Sequence, residues 1–234
     1  MKCADMPDPT PRNPSQFRII LLAALAGVLA GAAAIYVSGG FEGNTQQPPV
    51  AVANADDQAC AAKADRTADI MRDATGQVAA MTAADPARSV KHLAFNDAAG
   101  KPMTIADRSG KVVLMNIWAT WCAPCRAEMP ELDHLQRTMG GDQFEVVAVN
   151  VDTGDDAKPK KFLEETGIAS LGYYRDNTLK VFETLKKDGL ALGLPVTLLI
   201  GADGCLLGSM NGPAAWGTDD AVRLIDAAIL KSSS

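Results

Sequence analysis

Histidine is nearly absent from this 234-residue chain: His92 and His134 are the only two, and they do not have zinc-finger spacing. The chain has one CxxC pair, Cys122 and Cys125, and no second pair with which to complete a four-ligand zinc site. No histidine follows the second cysteine, where Arg126 stands, so the pair is not a haem-attachment motif. Lysine and arginine form no run, and the formal net charge is −6 with a sequence pI of about 4.9. A general nucleic-acid binder needs a basic footprint, which is missing here. The nine methionines are dispersed and build no copper-binding cluster. There is no internal repeat. What remains is a chain with 47% apolar residues, enough for a real core, and an ordinary 21% charged residues.

Long uncharged runs are also rare, with one exception. Residues 19–37 hold nineteen positions with no charge, no proline and two glycines. A membrane-spanning helix needs about 20 such residues. Lys2, Arg12 and Arg18 precede the run, and Glu42, Asp56 and Asp57 follow it. Positive flanks stay in the cytoplasm, so the bulk of the chain is expected outside. The division expected is a cytoplasmic tail over 1–18, a transmembrane helix over 19–37, a flexible tether over 38–57 and a folded domain over 58–234. The alternative is a cleaved signal peptide with small residues at 32–34, against which the length of the run counts. Cys3 precedes the run and so does not read as a lipidation site.

In the folded domain the Ala-rich stretch 58–75 predicts a helix ending near Gly76. Residues 89–95 and 102–105 predict short strands around a turn. Residues 111–119 form an unbroken apolar run, which predicts a strand buried on both faces. A helix is expected over 123–139 and a second buried strand over 144–149. Helices over 158–166 and 179–187 follow. Strands over 197–200 and 205–210 are joined by Gly-Ala-Asp-Gly, a hairpin signal. A helix over 218–230 ends the pattern. Strands alternating with helices, then a hairpin and a helix, give an α/β domain with a mixed sheet.

The CxxC pair falls where a buried strand hands over to a helix. Free N–H groups at a helix start stabilise an anion, so a thiolate placed there has a lowered pKa. Cys122 is nearest that end and is the expected nucleophile. Cys125, one turn on, is placed to attack a mixed disulfide and release its partner. Pro124 costs little in the first turn, where its missing N–H had no partner.

The stretch VVLMNIWATWCAPCRAEMPEL resembles the thioredoxin superfamily, most closely its TlpA-like branch of membrane-tethered periplasmic proteins. Trp118, Trp121, Cys122, Pro124, Cys125 and Pro130 match superfamily positions, and Gly193-Leu194-Pro195-Val196-Thr197 resembles the loop with the superfamily's cis-proline. The resemblance covers roughly residues 90–232. It implies a thioredoxin-like mixed sheet flanked by helices, with Trp121, the Leu194 backbone and Pro195 meeting the substrate. An ordinary loop proline is the other reading of Pro195. Asn116 stands where cytoplasmic thioredoxins bury an aspartate. Glu128 is then the candidate proton-handling group; a plain surface charge is its alternative. Members of this branch also carry a structural disulfide outside the active site, which Cys60 and Cys205 would form here. Both fall in the exported domain, where disulfides persist; two separate buried thiols are the alternative.

The activity implied is reduction of protein disulfides in cytochrome biogenesis, on copper-centre assembly proteins or apocytochrome c. Electrons would come from a membrane thiol donor of the DsbD or CcdA type, with no cofactor and no metal. Two other readings stay open: a dithiol oxidase, and a copper(I) metallochaperone using the same two thiolates.

Overall fold

The computed structural model describes residues 54–232. The apolar run 19–37 and most of the expected tether lie outside the described residues. Among the described residues no helix is long and apolar enough to cross a membrane.

Helix α1 (Ala55–Ala61) starts inside the segment expected to be tether. Asn54 caps it, its side chain accepting the Asp57 N–H at 2.8 Å. The single helix expected over 58–75 is two: α2 (Ala64–Met71) follows a break at Ala62 and Lys63. Anchors flank the break. Cys60 is bonded to Cys205, while Lys63 and Arg66 both reach Asp203 Oδ2 at 2.7 Å. Tertiary attachment here outweighs the local preference of an Ala-rich stretch for one helix.

Next come β1 (Thr82–Ala83), β2 (Ala94–Asn96) and β3 (Pro102–Thr104). The strand expected over 89–95 survives only from Ala94. Ser89 makes a single bridge to Cys205, and the Leu93 N–H turns back to the Val90 carbonyl. Asp97 closes the β2–β3 turn by accepting the Ala99 and Lys101 N–H groups, each at 2.9 Å. Gly100 completes the turn at φ +78°, a conformation open to glycine.

The centre follows the expected order, with one short strand, Tyr174–Arg175, added between two of the expected helices. It comprises β4 (Val112–Trp118), α3 (Ala123–Met139), β5 (Phe144–Asn150), α4 (Ala157–Glu165), β6 (Tyr174–Arg175), α5 (Lys180–Lys187), β7 (Val196–Ile200), β8 (Leu206–Asn211) and α6 (Asp219–Ser232). Leu179, expected in α5, instead precedes it at φ +63°, with Asp176 accepting the Thr178 and Val181 N–H groups on either side. The sheet runs β1-β8-β7-β4-β5-β6-β2-β3. β4, β5 and β6 are parallel, whereas β7 lies antiparallel to both β4 and β8. Every residue of β4 and β7 is buried, as strands covered on both faces must be.

This topology brings three chain segments to one edge. β4 ends there and β7 begins there, with Ile117 paired to Val196. The parallel strand β5 also ends there, with Trp118 opposite Asn150. The residues after β4, after β5 and before β7 therefore meet.

Candidate active site

Cys122 caps α3 in extended conformation, and its sulfur accepts the Cys125 N–H at 3.2 Å. The two cysteines are joined in a disulfide with a Cα–Cα distance of 5.3 Å. Cys122 keeps 6% of its surface exposed and Cys125 none, so an incoming partner meets Cys122. Once the bond is open, the helix start and its N–H groups favour negative charge on the Cys122 sulfur. The Arg126 N–H already closes the first turn onto the Cys122 carbonyl at 3.1 Å.

The loop leading into the motif is fixed from β5. The Thr120 N–H donates to both oxygens of Asp152, at 3.1 and 3.2 Å. Asp152 is itself buried, with its N–H on Asn150 Oδ1 at 3.1 Å. Sequence reasoning passed over Asp152 and Asn150. The available signal was the parallel pairing, which ends β4 and β5 on the same edge. Trp118 is buried against Phe162, ring centroids 5.6 Å apart, while Trp121 stands 69% exposed beside Cys122. The Leu194–Pro195 peptide bond is cis and lies one residue before β7, on the same edge.

Glu128 lies three residues past Cys125, on the same face of α3. It is buried rather than on the surface. Asn116 Nδ2 donates to its Oε1 at 2.9 Å and to Thr197 Oγ1 at 3.0 Å. The Ala214 N–H and the Trp216 indole N–H both donate to its Oε2, at 3.2 Å. Burial pushes the carboxyl from its ordinary 4.5 up to about 7, although these donors pull it down. A carboxyl near 7 can hold or release a proton at neutral pH. Ala214 and Trp216 are partners that no local pattern announced.

Cys60 and Cys205 are bonded to each other, across 145 residues of sequence, away from the active cysteines. Among the described residues no three His, Cys, Asp or Glu side chains gather in a metal-holding group. Cys122 and Cys125, when reduced, offer two thiols three residues apart.

The model of the family described as Redoxin matches residues 60–225. The thiol-disulfide oxidoreductase ResA of Bacillus thuringiensis is 28% identical over 131 residues, covering 53% of this chain and 69% of ResA. The thiol:disulfide interchange protein HelX of Rhodobacter capsulatus is 38% identical over 116 residues, covering 48% of this chain and 59% of HelX. Among solved structures, a thioredoxin-family thiol:disulfide interchange protein from Chlorobium tepidum superposes with a TM-score of 0.50 at 27% identity, covering 61% of this chain and 97% of that one. The fold is thus thioredoxin-like, a central sheet flanked by helices, and the relatives are named for thiol–disulfide exchange.

Proposed function

The chain belongs to the Redoxin family, and from that premise we propose that it reduces disulfides of other proteins through the Cys122–Cys125 dithiol. The observation that carries this is the placement of the pair: a helix-capping cysteine that keeps some surface exposed and a partner with none one turn behind it. In the reduced protein the Cys122 thiolate attacks a substrate S–S bond. A Cys122–substrate disulfide forms, and the first substrate sulfur leaves as a thiolate and takes up a proton. Cys125, deprotonated, then attacks the Cys122 sulfur, re-forming the intramolecular disulfide and freeing the second substrate thiol. Two electrons pass to the substrate, and a thiol donor must return them.

Glu128 is the proposed acceptor of the Cys125 proton, since it lies on the same helix face and titrates near neutrality. Exposed Trp121 and the Leu194–Pro195 segment are the proposed substrate contacts. The charge flanks of residues 19–37 support a single-pass anchor in a bacterial cytoplasmic membrane with the domain in the periplasm. The TlpA-like resemblance supports cytochrome biogenesis as the setting, with copper-centre assembly proteins or apocytochrome c as substrates and a donor of the DsbD or CcdA type.

The reduction potential of the Cys122–Cys125 pair tests the direction of transfer. A value near or below about −200 mV is expected for a reductant, whereas one near −120 mV marks an oxidant. The missing histidine between the cysteines already sets this site apart from the DsbA type.

A further inference from the structure

The chain as a whole is acidic, yet the groove beside its redox motif is not. Thr120, Arg126, Lys158, Lys161, Phe162 and Glu165 line a groove of ≈ 220 Å³. Thr120 and Arg126 bracket the motif, one two residues before Cys122 and the other directly after Cys125. The remaining four come from α4. Three cations face one carboxylate here, and that carboxylate is engaged: Glu165 pairs with Lys161 at 3.6 Å. The neighbouring Lys160 is paired with Asp156 and is spoken for. Among the described residues Arg126 and Lys158 make no ion pair, and both are exposed.

Arg126 is also held in place. Its guanidinium lies over the Phe162 ring, 5.1 Å from the centroid, and Phe162 packs in turn on Trp118. A guanidinium held on a ring face loses little further freedom when its planar fork takes up a carboxylate. The groove therefore offers an aromatic ring and two cations without an ion-pair partner, one of them held on that ring, beside the ends of the redox motif.

We propose that this groove docks an acidic stretch of the protein substrate, next in sequence to the disulfide that Cys122 attacks. The proposal rests on the disulfide-exchange reading and names the chemistry of its partner. Thr120 and Arg126 border the motif, so residues flanking a disulfide at Cys122 are within the groove's reach in this proposal. Carboxylates there meet unpaired cations at close range, which speeds encounter and selects against basic flanks.

Two disulfide-bridged peptides test it, alike except that one has Asp and Glu beside the cysteine and the other Asn and Gln. The second-order rate of exchange with each is measured on the reduced full-length protein. The wild type should prefer the acidic peptide, and the preference should fall about three- to tenfold in the Arg126→Gln/Lys158→Gln double variant. Raised salt should shrink it in the wild type. Any change in Cys122 reactivity acts on both peptides alike, so the ratio reports docking, and the rate with the neutral peptide reports an intact fold. Equal rates in the wild type, or a preference that survives the double substitution, overturn the proposal. A protein that exchanges with neither peptide would instead sink the oxidoreductase reading, and the groove's role with it.

Discussion

Glu128 is where a single residue most clearly couples burial to chemistry. Its carboxyl is held near 7 by burial, against 4.5 for the free group. Between these two values the folded protein keeps a proton that the unfolded chain has lost, so stability falls as pH rises. It is fully present below about 4.5, and about 3 kcal/mol is gone by about 7. Glu128→Gln removes this titration. Its carbonyl oxygen can still accept from Ala214 and Trp216 while its NH2 turns to Asn116, whose Oδ1 has no partner, so the variant mimics the protonated carboxyl and should match wild type in acid. By urea unfolding the two should be alike near pH ~4.5, and Glu128→Gln should become increasingly the more stable as pH rises to ~7. A gap independent of pH would show that Glu128 titrates like a surface carboxylate. The neighbours responsible were only partly legible. Asn116 could be read as a departure from the thioredoxin pattern. Ala214 and Trp216 lie 86 and 88 residues beyond Glu128 and meet it only once the chain has folded.

At the level of elements, the strand-to-helix passage through the motif was the most legible part of the chain. An apolar run covered on both faces and a CxxC followed by a helical period leave little choice, and α3 spans the expected 123–139. The N-terminal helices were the least legible. Their register is set by bonds to the distant β7–β8 turn, and an Ala-rich stretch carries no mark of where it will bend. There Asp203 is buried enough to raise its carboxyl, yet Lys63, Arg66 and the Cys205 N–H outweigh that and hold it at about 2. The Cys60–Cys205 bond adds a covalent clasp that closes a loop of well over a hundred residues. The chain-entropy account assigns such a closure about 5 kcal/mol. The Cys60→Ala/Cys205→Ala variant should lose stability up to that amount in denaturant unfolding, while Cys122 still exchanges with a neutral disulfide peptide. If stability is retained, the bond does no more than decorate contacts already sufficient. If exchange is lost along with stability, the clasp also shapes the site.

Across the whole molecule, the sheet order decides what the site can be. Strand β4 sits between a parallel and an antiparallel neighbour, so one edge collects the motif, the Asp152 loop and the cis-proline segment. The alternation of strands and helices predicted an α/β domain, but not the two-residue strands β1 and β6, which are too short to carry a period. The central claim is a division of labour in which the helix-capping Cys122, the more exposed of the two, attacks and the fully enclosed Cys125 resolves. Trapping tests it most directly. Reduced Cys125→Ser protein, mixed with periplasmic proteins carrying disulfides and then separated without reductant, should accumulate as a mixed disulfide through Cys122, because no second thiol remains to release the partner. Cys122→Ser should give no adduct. Adducts formed by Cys122→Ser and not by Cys125→Ser would reverse the roles and contradict the account.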